Sequence, residues 1–84
     1  MKASVVYKPE RTPNGRFRAE GEIIVYVDGK YRIQEFTDPD QSLTFVTESE
    51  VEARIWQLAT SWRKTEMPSA DLIDDKGRCS RGSA

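Results

Sequence analysis

Carboxylates, guanidiniums and aromatic rings are the groups from which this chain could assemble a site. Its 84 residues include no histidine and one cysteine, Cys79. Disulfide scaffolds, zinc fingers, Cys/His pairs and Ser-His-Asp triads therefore have no residues to work with. Asp38 and Asp40, with Glu35 nearby, offer oxygens to a hard cation such as calcium. Calcium takes six to eight oxygens, and no EF-hand spacing is present. Asp38-Pro39-Asp40 reads better as turn chemistry. Two carboxylates are also the minimum for glycoside hydrolysis, but nothing in so short a chain suggests a deep cleft for a sugar. The expectation is a protein that is not an enzyme, with no cofactor and no metal.

The basic side chains make a second set. Arg11, Arg16, Arg18, Lys30 and Arg32, interleaved with Phe17 and Tyr31, form a pattern that could hold phosphates and stack bases. Glu20 and Glu22 alternate on the same face as Arg16 and Arg18, so cross-strand Arg–Glu pairs explain the same residues. Of the two tryptophans, Trp62 fits a core stripe and Trp56 lies at its flank, where it could anchor a partner. Cys79 sits beside Arg78 and Arg81, which would lower its pKa slightly; a lone cysteine there reads as incidental.

Charge is unevenly distributed although the net value is only −1. Residues 1–34 carry seven Lys/Arg against four Asp/Glu, residues 35–53 carry six acids and no base, and residues 54–84 carry six bases against four acids. A nucleic-acid surface usually shows a basic stripe and a high pI, and this chain has neither. No apolar run approaches the roughly 20 residues of a membrane span. The first residues lack a sustained apolar stretch, which predicts no signal peptide and a cytoplasmic protein.

The elements that must position these groups follow from pattern. Ala3–Lys8 is rich in β-branched and aromatic residues and reads as a strand. Pro9–Gly15 is a loop, Arg16–Val27 a longer strand, and Asp28-Gly29 a two-residue type I′ turn into a third strand, Lys30–Thr37. That turn pairs Val27 with Lys30, Tyr26 with Tyr31 and Ile24 with Ile33. Glu22 then lies opposite Glu35, and Gly21 is expected to relieve this with a bulge. Leu43–Val46 is a short fourth strand or an extended lead-in. Thr47 and Glu50 match a capping box, flanked by Val46 and Val51 at staple positions. The helix is expected over 48–64, with Val51, Ile55, Leu58, Ala59 and Trp62 on one stripe. Residues 65–84 contain no aromatic residue and no periodicity and are expected to be a disordered, flexible tail.

Pro13-Asn14-Gly15-Arg16-Phe17, Val27-Asp28-Gly29-Lys30, Phe45 with Thr47, and Trp62 together resemble small bacterial proteins of unknown function, a resemblance spanning Val5 to about Trp62. It implies a fold of three or four strands with a C-terminal helix, and no chemistry. The outline is also similar to the double-stranded-RNA-binding domain. Here its first helix is missing, and Glu48, Glu50 and Glu52 stand at the helix start where that domain is basic. The topology also resembles antitoxins of the HicB type, which bind a toxin protein.

The expected fold is thus α+β: an antiparallel meander of three to four strands with one C-terminal helix on one face (βββα). Residues 1–64 form a single domain and 65–84 the tail. A core this small, burying only about 60–65% of its unfolded surface, favours a partner or self-association. The tyrosine-bearing face, with Ile24 and Ile33, is taken as the helix-packed one. The other face, with Ile23, Val25, Val27 and Arg32, plus Trp56, is the expected interaction surface. The expected function is non-catalytic protein interaction, and the alternative is nucleic-acid binding.

Overall fold

A computed structural model describes residues 1–83. Seven strands and one helix follow in the order β1 (Lys2–Tyr7), β2 (Glu10–Arg11), β3 (Phe17–Arg18), β4 (Glu20–Val27), β5 (Lys30–Thr37), α1 (Glu48–Glu66), β6 (Asp71–Ile73) and β7 (Cys79–Ser80). Five strands form the main sheet in the order β5-β4-β1-β6-β7, and β2 and β3 form a separate two-stranded ribbon. All pairings are antiparallel except β1 with β6. The chain is α+β with one helix and a mostly antiparallel sheet, and the helix is central in the sequence rather than C-terminal.

The β4–β5 hairpin turns where Asp28-Gly29 predicts. Both residues take positive φ, 52° and 75°, as a type I′ turn requires. The register runs unbroken from Val27↔Lys30 to Glu20↔Thr37. No bulge occurs at Gly21. Its glycine identity has a different cause: a Cβ there would lie 2.7 Å from the Val6 carbonyl oxygen and 3.2 Å from Ile55 Cγ2. The helix and the neighbouring strand come too close for any side chain. Glu22 does stand opposite Glu35, and Lys8, 2.7 Å from Glu22, offsets the repulsion. The expected strand over 16–27 is broken at Ala19, whose carbonyl accepts from Asp38 N–H. The segment before the break leaves the main sheet to pair with β2. Phe45 makes only an isolated bridge to Phe17, so Leu43–Val46 is not a strand.

The helix starts at the Thr47 cap, whose hydroxyl accepts from Glu50 N–H at 3.2 Å. Val46 stays 60% exposed and closes no staple. Helix α1 packs on β1, β3 and β4. Val51, Ile55 and Ala59 meet Ala3, Val5, Ile23, Val25 and Leu72 in one core, with Trp56, Leu58 and Trp62 packed at its margin.

The expectation of a disordered tail over 65–84 is corrected for its described residues, 65–83, and residue 84 lies outside them. Leu72 is fully buried, β6 pairs with β1, and β7 pairs with β6. Two side chains hold this hairpin. Arg63, 3% exposed, donates to the carbonyls of Pro68 and Ala70 and to Ser80 Oγ. Asp74 caps the turn by accepting from the N–H groups of Lys76 and Arg78.

Candidate functional site

The expected register places the faces correctly relative to each other but assigns them the wrong way round. Ile23 and Val25, expected on the outer face, are 0% and 2% exposed and lie under the helix. The tyrosine face is the bare one: Tyr26 is 51% exposed, Tyr31 69% and Ile33 49%. On this outer face Ile33, Ile24, Ser4, Ile73 and Cys79 stand side by side across all five strands. Beside that row run Tyr31, Tyr26, Lys2 and Asp71. The two tyrosine rings are 6.4 Å apart and tilted by 51°, within the range of favourable aromatic pairs.

Strand β5 is the edge of the sheet, and seven of its eight residues are exposed. Only Phe36 is partly shielded. The helix therefore leaves Lys30, Arg32 and Gln34 uncovered on the inner side, while Tyr31, Ile33 and Glu35 face solvent on the outer side. The hydrogen-bond phase of the free edge can be read directly. A two-residue hairpin makes Val27 and Lys30 a bonded pair, and bonded pairs recur at every second position. The Asp38 N–H to Ala19 carbonyl bond, 2.9 Å, lies in the same phase. The even residues of β5 are thus bonded to β4, and the odd residues Tyr31, Ile33 and Glu35 aim N–H and C=O outward. One outward carbonyl, that of Glu35, is met by the amide Nε2 of Gln34 at 3.1 Å.

The remaining sequence-expected residues are scattered. Val27 is 42% exposed at the hairpin end, and Arg32 lies opposite Val25. Trp56 is partly buried against the core, which removes it from the outer surface. Of the basic set, Arg11 lies over the Phe17 ring at 5.1 Å. Arg16 donates through Nε to Thr44 Oγ1 at 2.7 Å. Arg11 and Arg18 belong to the β2–β3 ribbon and Arg16 to the turn that closes it, whereas Lys30 and Arg32 pair with Val27 and Val25 toward the far end of β4, roughly 17–24 Å from its start at Glu20 by strand rise. The fold brings no basic stripe together. Asp38, 2% exposed, is held by Arg54 through two bonds of 2.9 Å. That guanidinium keeps its carboxyl below the ordinary range.

A second polar constellation was not legible in the sequence. Tyr7 donates to Asp74 Oδ2 at 2.5 Å and accepts from Arg78 Nη1 at 3.0 Å. Burial, then the Asp74 bond, push the Tyr7 hydroxyl up to about 12. Burial would raise Asp74, but the bonds from Tyr7 and from two backbone N–H groups outweigh it and leave its pKa lowered. Lys76 pairs with Glu52 beside them. Tyr7, Asp74, Lys76 and Glu52 border an open groove of about 530 Å³ between β1, the start of α1 and the β6–β7 turn. Each donor and acceptor named here is engaged by a neighbour, and the network joins the β6–β7 hairpin to the sheet. The available signal was Asp74-Asp75-Lys76-Gly77, a turn sequence following Leu72-Ile73, with Gly77 at φ 86°.

Among the described residues no group of three or more Cys, Asp or Glu is placed to hold a metal, and no helix is long and apolar enough to cross a membrane. Comparison with family models, curated proteins and solved structures gives no match.

Proposed function

We propose that this protein is a non-catalytic protein-interaction module that works through the β5 edge and the outer sheet face beside it. The observation that supports this reading most is the state of β5: eight residues long, unpaired on one side and solvent-exposed at seven positions. Unpaired strand edges template the addition of another strand, and soluble proteins usually blunt them with charged side chains, proline, a bulge or a covering element. β5 carries Lys30, Arg32 and Glu35, but it has no proline and pairs with β4 without a bulge. The apolar side chains at its outer face, Tyr31 and Ile33, continue onto Tyr26 and Ile24 of β4. Main-chain bonds would supply affinity there, and the alternate side chains would supply selectivity.

The test is native mass spectrometry of the chain isolated gently from its own cells, across a salt series from about 50 mM to about 500 mM. A protein complex that survives the series, and is lost in the variant Tyr31→Lys/Ile33→Lys, supports the reading. A bare chain under all conditions contradicts it, as does a complex that persists in the variant. A nucleic-acid complex that dissolves steeply with salt contradicts it in favour of phosphate binding.

A further inference from the structure

We infer that the partner at the β5 edge is a second copy of this chain, joined antiparallel about a two-fold axis through Ile33. The inference rests on the interaction reading above and names its occupant. The hydrogen-bond phase restricts the choice, because only Tyr31, Ile33 and Glu35 aim their backbone groups outward. A two-fold seam that continues the sheet must therefore set odd residues against odd residues, with like faces on the same side.

The available registers differ sharply in charge. Centring on residue 32 places Arg32 against Arg32 of the second copy, and centring on 35 places Glu35 against Glu35. Like charges directly opposite are unfavourable. Centring on 31 overlaps too little of the strand. Centring on 34 sets the Ile33 side chain against a carboxylate. Centring on 33 sets no like charges opposite each other and no aliphatic side chain against a charge. It pairs Ile33 with Ile33, Tyr31 with Glu35, Arg32 with Gln34 and Lys30 with Phe36 of the second copy, using nearly the whole of β5. In each odd pair the two residues exchange N–H and C=O. The Tyr31 hydroxyl gains a carboxylate acceptor, and Arg32 gains an amide oxygen. The Glu35 carbonyl exchanges the Gln34 side chain for a ladder bond. The product is a continuous ten-stranded sheet with the isoleucine row running across the joint.

The seam is one strand deep, which belongs to interfaces below about 1,200 Å² in total, so the dimer should be reversible and weak. The experiment uses purified full-length chain, so any association is self-association. Sedimentation velocity over a rising concentration series should show a monomer–dimer equilibrium. Single cysteines are then placed at 31, 33 or 35 in a Cys79→Ser background and mildly oxidised. Facing Cα atoms in a bonded pair lie about 5.5 Å apart, within disulfide reach. Only Ile33→Cys should give a covalent dimer, because the two copies of residue 31, and likewise of 35, are separated by roughly 14 Å. A chain that stays monomeric at every concentration overturns the inference, and so does cross-linking at 31 or 35 instead of 33. If the purified chain is monomeric while the cell-isolated protein carries a different protein, the second-copy inference fails and the interaction reading stands.

Discussion

The hydroxyl of Tyr7 joins three elements through one oxygen: it bonds Asp74 after β6 and Arg78 before β7 from its place at the end of β1. Its raised pKa has a consequence for stability. The folded state holds the proton up to about 12, whereas the unfolded chain releases it near 10. The folded state then binds more protons, so stability falls as pH rises above about 10. Tyr7→Phe should lose this alkaline phase, read as the difference between the two proteins in urea midpoints across pH 9 to 12. Asp38 behaves oppositely. Arg54 depresses its pKa, so its contribution is present above the ordinary carboxylate range of about 4 and disappears as pH falls through the folded value. Replacing Arg54 with Met should move the acid transition to higher pH. The two faces of β4 separate just as cleanly. Val25→Lys puts an unpaired charge into the core and should leave the chain unfolded by circular dichroism. Ile24→Lys, on the open face, should keep the wild-type spectrum, with a stability change of about 1 kcal/mol or less.

Among the elements, the β6–β7 hairpin shows where local pattern fails. Leu72 is fully buried beside Ala3 and shares one core with Val5, yet a three-residue strand carries too little periodicity to be distinguished from a loop. Its pairing with β1 is parallel and long-range, and its anchor is Arg63, a basic residue in the last helical turn whose presence the helix dipole alone would explain. Leu72→Ala should destabilise the protein by about 2–5 kcal/mol in equilibrium unfolding, the range for large-to-small changes in a core. A change under about 0.5 kcal/mol would mean that this hairpin contributes little. What local chemistry dictates was readable. The Asp28-Gly29 turn, the β4–β5 register and the Thr47 cap need only neighbouring residues, and all three are present. Which face of β4 meets the helix was not readable, because both faces carry β-branched or aromatic residues: Ile23 and Val25 on one, Ile24 and Tyr26 on the other. The face is fixed by Gly21, the close-approach point beneath Ile55, which shares the inward parity of Ile23 and Val25. That contact links residues far apart in sequence.

At the scale of the whole molecule, one helix lies over a five-stranded sheet and cannot cover it. The helix settles on the central strands, where Ala3, Val5, Ile23 and Val25 supply the core. Two consequences remain exposed, the outer face and the long edge β5. The opposite edge, β7, has only two residues, so among the described residues the main sheet has one long edge, and association through it closes after two copies or one partner. The measurement that tests edge pairing most directly is amide hydrogen exchange resolved along β5, comparing the associated protein with the dilute chain. The account predicts an alternation. Arg32 and Gln34 amides, bonded to β4, should be protected in both samples, and those of Tyr31, Ile33 and Glu35 should become protected only on association. Association that leaves the odd amides exchanging as fast as in the dilute chain would contradict it, because the partner would then be held by some other surface.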